Sequence, residues 1–227
     1  MLFMFWTNPE IKTPDGALLW HKLYSNFKVF SDADVQPLLP STILPLWSKI
    51  RIPAAKSDLA RLLLLREYGG LYVDSHVAPT DPACLVNTMD LLSSYALVLV
   101  GQGWTMKSET DFDLMNGIIA ARKKAPELDS LISRVCSNII EQYEKESATN
   151  EYVPYNLWSL TGTYPMLETF FGHNGLRPVI KDEFSQRVYT LFMEDNQSSG
   201  FQVAANKSYQ TETSHWSLRQ KTERFFI

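Results

Sequence analysis

The sequence predicts an α/β fold, a sheet with helices packed against it. Three observations carry this. Short apolar runs of strand length alternate with helical patterns along the chain, as in layered α/β domains. Pro53–Tyr68 reads as a helix that Gly69-Gly70 closes and that Leu71–Val73 follows at once as a strand. Asn116–Ala121 reads as a strand leading, through Pro126, into a long amphipathic helix over Pro126–Glu146.

Taken in order, Leu2–Phe5 is a strand, and a polar loop over residues 7–16 leads to a helix over Ala17–Tyr24. Phe27–Phe30 is a short strand, and Ser31 is placed to cap the next helix. Pro53 suits a first helical turn, where its missing N–H costs nothing. Leu59, Leu62, Leu63, Leu64 and Leu65 cover more than one face of that helix, so it is buried between layers. Glycine adopts left-handed backbone angles freely, so Gly69-Gly70 ends it. Leu71–Val73 is a central strand with Asp74-Ser75-His76 at its carboxyl end. Pro82–Leu92 is helical and Tyr95–Val100 is a strand. Leu128, Leu131, Ile132, Val135, Ile139 and Ile140 line one side of the Pro126–Glu146 helix. Thr163–Phe171 is helical, and no clear pattern follows Lys181.

The chain has 227 residues, which fits one domain. Hydrophobic residues at 45% and charged residues at 20% exclude a disordered chain, a coiled coil and a collagen-like repeat. With 21 basic against 25 acidic residues there is no basic field to hold a duplex, so nucleic acid is not an expected partner. Cys84 and Cys136 match no metal or redox spacing and read as reduced core residues. No apolar run reaches the ~20 residues that span a bilayer, so no transmembrane segment is expected. The apolar start lacks a basic flank and a cleavage site. A soluble, cytoplasmic protein, bacterial or viral, is the expectation.

The chemistry concentrates in Pro53–Pro79. Asp58 and Arg61 share one helix face at i, i+3, in a helix otherwise too apolar to be exposed. Buried charges need partners, so the two form a structural ion pair or grip a polar ligand. Tyr72 and Asp74 alternate along a strand and so face one side of it. Asp74 lies where open α/β sheets bind ligands, beyond a strand's carboxyl end. Asp74 and His76 together offer a carboxylate and an imidazole, a mixed set that suits Mn²⁺ better than Mg²⁺.

As a unit, Ser57-Asp58, Arg61, Tyr68-Gly69-Gly70, Tyr72 and Asp74-Ser75-His76 resemble the signature of glycosyltransferases with a sugar-binding DXD motif. That grouping includes mannosyltransferases, capsular polysaccharide synthesis enzymes and glucosyltransferase domains of large clostridial toxins. Weaker similarities lie at Phe5-Trp6, Trp20, Asn26–Asp34, Asn116–Ala121, Leu160–Thr163 and Ser214–Trp216.

The resemblance implies a GT-A fold, a single Rossmann-like mixed sheet flanked by helices, with residues 1–100 as a nucleotide-sugar-binding half and 101–227 as an acceptor-side half. It implies a nucleotide-sugar donor with UDP favoured, and a divalent metal, Mn²⁺ or Mg²⁺, on the diphosphate. It implies that Asp58 and Arg61 hold the donor sugar and that Tyr72 lies against it. Asp74 would contact the ribose and the metal shell, Ser75 would lie in the donor site, and Trp6 would stack on uracil. His76 stands where the family has its second motif aspartate, so the metal set would be Asp74, His76 and His215. The acceptor would be a glycan or a protein-linked group. Retention of anomeric configuration is favoured, which needs no separate base. Inversion would need a carboxylate on the acceptor side, with Asp111 and Asp113 as candidates. Trp104 is either an acceptor platform or an aromatic plug over the core. Two other readings stand beside transfer. One is a nucleotide-sugar-binding module without catalysis. The other is a metal-dependent hydrolase built on Asp74, His76 and one of His21, His173 or His215.

Overall fold

Each strand of the central sheet divides its side chains between two cores. In the computed structural model, which describes residues 1–7, 12–80, 82–103, 112–174, 177–193, 200–203 and 215–227, the elements run as follows. Strand β1 (Leu2–Phe5) leads to α1 (Asp15–Leu23), β2 (Lys28–Phe30), and the short α2 (Asp32–Val35) and α3 (Leu44–Trp47). Helix α4 (Pro53–Tyr68) precedes β3 (Gly70–Val73), β4 (Val77–Pro79) and α5 (Pro82–Asp90). Then come β5 (Leu97–Gly103), β6 (Phe112–Ala121) and α6 (Pro126–Thr149). The last third contains α7 (Leu157–Leu160), α8 (Thr163–Phe170), β7 (Phe171–Asn174), β8 (Arg177–Ile180), β9 (Val188–Met193), β10 (Phe201–Val203) and α9 (Trp216–Arg219).

Six strands form one sheet in the order β2-β1-β3-β6-β5-β9. β2, β1 and β3 are parallel, β6 is antiparallel to both β3 and β5, and β9 runs parallel to β5. β10 pairs with β4, and β7 with β8, in two small antiparallel ribbons. This is the mixed, helix-flanked sheet expected from the sequence. Alternate residues face opposite ways along a strand. Phe3, Phe5, Tyr72, Leu97, Leu99, Ile119 and Ala121 therefore join the core beneath α4, α6 and α8. Met4, Leu71, Val73, Val98, Val100, Ile118 and Ala120 join a second core with Trp20 of α1 and Leu85 of α5.

Helix α4 has the predicted bounds. Pro53 occupies its first turn, and Gly69 (φ 66°) and Gly70 (φ 111°) turn the chain into β3. A Cβ at Gly70 would lie 2.1 Å from the Met1 carbonyl oxygen, so the β1–β3 junction also requires glycine there. Ser31 caps α2: its N–H donates to Asp34 Oδ2 at 2.8 Å, and its hydroxyl does so at 2.6 Å. Strand β6 starts earlier than its apolar run suggests and carries a bulge. Leu99 pairs with Ile119 but Gly101 pairs with Leu114, so Met115–Ile118 lie opposite Val100 alone. The unpatterned tail holds an edge strand, β9, and ends with Phe225 and Phe226 fully buried in the larger core. Cys136 is a buried free thiol; the side chain of Cys84 lies outside the described residues. Among the described residues, no helix is long and apolar enough to cross a membrane.

Candidate functional site

The first strand-end in the chain, at β1, lies beside that of β3. Their parallel register pairs Phe3 with Tyr72 and, continued, sets Phe5 opposite Asp74. Trp6 and Asp74 thus emerge at adjacent carboxyl ends, the edge where such sheets bind ligands. Trp6 is partly exposed, and its backbone N–H donates to the Phe30 carbonyl at 2.9 Å. Beside it, Asp32 accepts from Thr7 Oγ1 and, at 2.8 Å, from Trp47 Nε1, and lies 3.5 Å from Lys56 Nζ.

Asp74 is held from two sides. Tyr72, wholly buried on the same face of β3, donates its hydroxyl to Asp74 Oδ1 at 2.6 Å. The Arg61 guanidinium lies 3.4 Å from the same oxygen. The Asp74 N–H donates to the Gly117 carbonyl at 2.8 Å. A Cβ on Gly117 would stand 2.8 Å from Asp74 Oδ2, so this glycine leaves the room the carboxylate occupies. The following turn packs on α1: a Cβ on Gly16 would come within 1.9 Å of the Ser75 carbonyl oxygen. The Ser75 side chain is buried and its hydroxyl has no hydrogen-bond partner among the described residues. His76 is partly exposed at the same turn.

Arg61 is 4% exposed and fully engaged by protein. Its Nε donates to the Ser57 carbonyl at 3.1 Å, one terminal nitrogen to the Asn116 carbonyl, and the other to Ser57 Oγ at 3.3 Å. That second nitrogen is 3.1 Å from Asp58 Oδ1, and the plane lies 4.9 Å from the Tyr72 ring centre. The β6 bulge makes part of this. By displacing Asn116 from the regular ladder, it presents that carbonyl to Arg61 and the side-chain amide to Asp58 Oδ1 at 3.1 Å. Thr161, after α7, donates to Asp58 Oδ2 at 2.7 Å. Ser57 Oγ also meets the Tyr72 hydroxyl at 2.9 Å.

Burial pushes the Asp58 carboxyl up to about 6, against the opposing pull of Arg61 and of the Thr161 hydrogen bond. Burial also raises the Tyr72 phenol, with the neighbouring Asp74 charge adding to it. Asp58 and Arg61 line a small cavity with Asn116, Thr161, Gly162 and Met166. It has room for about one water, far too little for a nucleotide-sugar. Of Asp58, Arg61 and Asp74, only Asp74 reaches the open side, with its side chain 18% exposed.

The predicted metal set does not assemble. Among the described residues there is no group of three or more His, Cys, Asp or Glu side chains placed to hold an ion. Asp74, His76 and His215 therefore form no three-ligand centre. The Nδ1 of His215 accepts from the Ser217 N–H at 3.3 Å and lies 2.6 Å from Ser217 Oγ, as the cap of α9. Asp74 Oδ1 already carries Tyr72 and lies beside a cation. These residues do not fit a divalent ion held by the protein. Nor do they support a metal hydrolase on Asp74, His76 and His21 or His215; the His173 side chain, like Trp104 and Asp111, lies outside the described residues.

Asp113 lies near the start of β6. Its Oδ1 takes the Leu114 N–H at 2.8 Å, and burial raises its carboxyl while hydrogen bonds from Leu114 and the Trp158 side chain oppose that rise. Ser57, Asn116, Gly117 and Thr161 are the site residues that sequence reading did not single out. Ser57 and Thr161 lie inside quoted motifs, and Asn116-Gly117 opens the predicted strand, so position, not residue type, was their signal.

Comparison with known proteins fits this geometry. Residues 4–97 match the family described as the glycosyltransferase sugar-binding region containing DXD motif. No curated protein matches the sequence. Among solved structures the chain is similar to PaToxG Glycosyltransferase, at 14% identity and a TM-score of 0.47, over 74% of this chain and 67% of that one. The matched segment contains α4, β3 and the whole Ser57–His76 signature, so residues 4–97 are similar to the sugar-binding region of the DXD glycosyltransferases.

Proposed function

We propose that the protein transfers a hexose or deoxyhexose from a nucleotide-sugar, with UDP-sugars favoured, to a hydroxyl of a glycan or protein-linked acceptor. The observation that supports this most strongly is Asp74 at the carboxyl end of β3, fixed by Tyr72 and Arg61 beside the exposed end of β1. A carboxylate so held accepts hydrogen bonds from sugar or ribose hydroxyls without reorganising. In this reading Asp74 touches the donor, Trp6 offers its ring to the base, and Ser75 and His76 shape the turn beneath it. Arg61, Asp58 and Tyr72 are positioning residues: their polar atoms are spent on Asp74 and on each other. Residues 1–100 form the donor half, with Asn116 and Thr161 reaching across from the acceptor half.

The donor's anomeric C–O bond breaks, its electron pair leaves with the nucleoside diphosphate, and the acceptor oxygen bonds to the anomeric carbon. With retention, the acceptor proton passes to a departing phosphate oxygen and no protein base is needed. Asp113 is the carboxylate that would take the proton if the reaction inverts. Asp58 and Asp74 carry two negative charges against one on Arg61, so they favour hydroxyls over phosphate. Incubating the protein with UDP-glucose, UDP-galactose, UDP-N-acetylglucosamine and GDP-mannose, and following free sugar and its first-formed anomer by NMR, tests this. Release of a sugar with the donor's anomeric configuration is the expected result. A second reading, a nucleotide-sugar binder without transfer, is favoured by His76, an imidazole where the DXD motif has its second aspartate. It predicts bound donor and no free sugar.

A further inference from the structure

On the surface, α7 and α8 present two aromatic rings that the donor site does not use. Trp158 is 38% exposed and Tyr164 is 41% exposed. Their ring centres are 5.2 Å apart and their planes are inclined at 41°, so together they make a shallow angled platform. Large aromatic side chains usually bury their area, so an exposed pair in contact marks a place where something flat and partly apolar sits. A carboxylate stands nearby: the half-buried Asp113 lies close enough to the Trp158 side chain for that side chain to draw its carboxyl down against the effect of burial.

The platform is tied to the donor site by three short connections. Thr161, three residues after Trp158, holds Asp58 Oδ2. Thr163, preceding Tyr164, donates to the Leu114 carbonyl at 3.3 Å, next to Asp113. Gly162 lets the turn close on Trp158, since a Cβ there would stand 3.1 Å from the Trp158 Cα. The segment 157–164 thus shows one side to Asp58 and the other to solvent.

We infer that Trp158, Tyr164 and Asp113 form an acceptor subsite that takes a neutral pyranose ring, its C–H face on the two aromatic rings and its hydroxyls on the carboxylate. This rests on the transferase reading above and narrows its acceptor to a glycan. A pyranose has an apolar C–H face and a rim of hydroxyl donors, and the negative face of an aromatic ring attracts polarised C–H groups. The carboxylate accepts from hydroxyls and repels phosphorylated or acidic sugars.

Saturation-transfer NMR tests the subsite directly. The probes are methyl α-glucoside, methyl α-mannoside, methyl β-galactoside and maltose, each titrated in the presence of UDP. Binding is expected to weaken at least about fivefold in Trp158→Ala and Tyr164→Ala, and to persist in Trp158→Phe, which keeps a ring and its fold. Val86→Ala, a more exposed apolar site on α5, serves as control and keeps wild-type binding. Wild-type protein that binds none of the four probes, or Trp158→Ala that binds them as wild type does, overturns the subsite. UDP titration in the same samples separates the two claims. Nucleotide bound without any glycoside leaves the donor reading standing and the subsite wrong, whereas no nucleotide bound removes the reading beneath it.

Discussion

The Tyr72 hydroxyl donates to Asp74 Oδ1 at 2.6 Å from a side chain with no solvent exposure. The motif aspartate is therefore supported from inside the sheet, and the tyrosine two residues before it acts through it. Tyr72→Phe keeps the ring on Phe3 and under Arg61 but removes this support. It also strips a partner from Ser57 Oγ. We expect a stability loss of roughly 1–2 kcal/mol, the scale of one buried hydrogen bond, read by urea unfolding. UDP affinity should fall about tenfold, less than in Asp74→Ala. Equal affinity for wild type and Tyr72→Phe would remove the positioning role.

Gly117 is a steric prediction. A Cβ there meets Asp74 Oδ2 at 2.8 Å, a flexible contact that moves the carboxylate but not the backbone. Gly117→Ala should lower donor turnover by ten- to a hundredfold, the scale of a ~1 Å misplacement, with little change in melting temperature. Gly172→Ala, whose nearest neighbour would be Lys181 Cγ at 3.8 Å, should change neither.

Asp58 sets a pH dependence. Its folded pKa of about 6 lies above the ordinary 3.8. The native state then holds this proton more tightly than the unfolded chain. The contribution is full below about pH 4, declines as pH rises, and is gone above about pH 6, an interval worth about 3 kcal/mol. Asp58→Asn should flatten the stability–pH curve across that window. Donor binding runs the other way: if the Asp58 charge helps orient Arg61, UDP affinity drops below pH 6 in wild type and the limb disappears in Asp58→Asn. Both are read by melting and by calorimetry between pH 4 and 8.

The donor set around Asp74 makes a prediction about metal. Mn²⁺ titrated into the ligand-free protein should give no saturable heat at a Kd tighter than about 0.1 mM, near −5 kcal/mol of binding. A tight site would show that Asp74 exchanges Tyr72 and Arg61 for an ion.

Glu146 predicts where the tail matters. It is 1% exposed on α6 and accepts the N–H groups of Phe225 and Phe226 at 2.8 and 3.1 Å. Glu146→Ala leaves two buried N–H groups unpaired and should cost about 2–5 kcal/mol by chemical denaturation. Deleting residues 225–227 should cost at least as much.

Much of this was legible in the sequence, and what was not has a common cause. Helix α4 is marked by a proline at its first turn and two glycines at its end, and Asp58 and Arg61 stood out as charges in an apolar helix. These are local signals. Thr161 and Asn116 are neutral polar residues, and they meet Asp58 across 103 and 58 positions of chain. Strand β9 pairs with β5 across a similar distance, register Leu97 to Val188, and nothing near Val188 announces it. Phe225-Phe226 has no periodicity, and its anchor lies some eighty residues earlier. The β6 bulge reads as a weak strand start because Asn116-Gly117 breaks the apolar run where the site needs it broken. The metal set drew three residues from a motif and a resemblance, but His215 serves as a helix cap, and side-chain convergence is set by tertiary packing.

The central claim is a nucleotide-sugar site built on Asp74, and calorimetry tests it most directly. UDP, GDP and TDP, then their sugars, are titrated into wild type and Asp74→Ala, with and without Mn²⁺. The account predicts saturable binding of one nucleotide class, strengthened by its sugar and lost in Asp74→Ala. Absence of nucleotide binding by wild type under every condition, or binding that Asp74→Ala leaves intact, would contradict it.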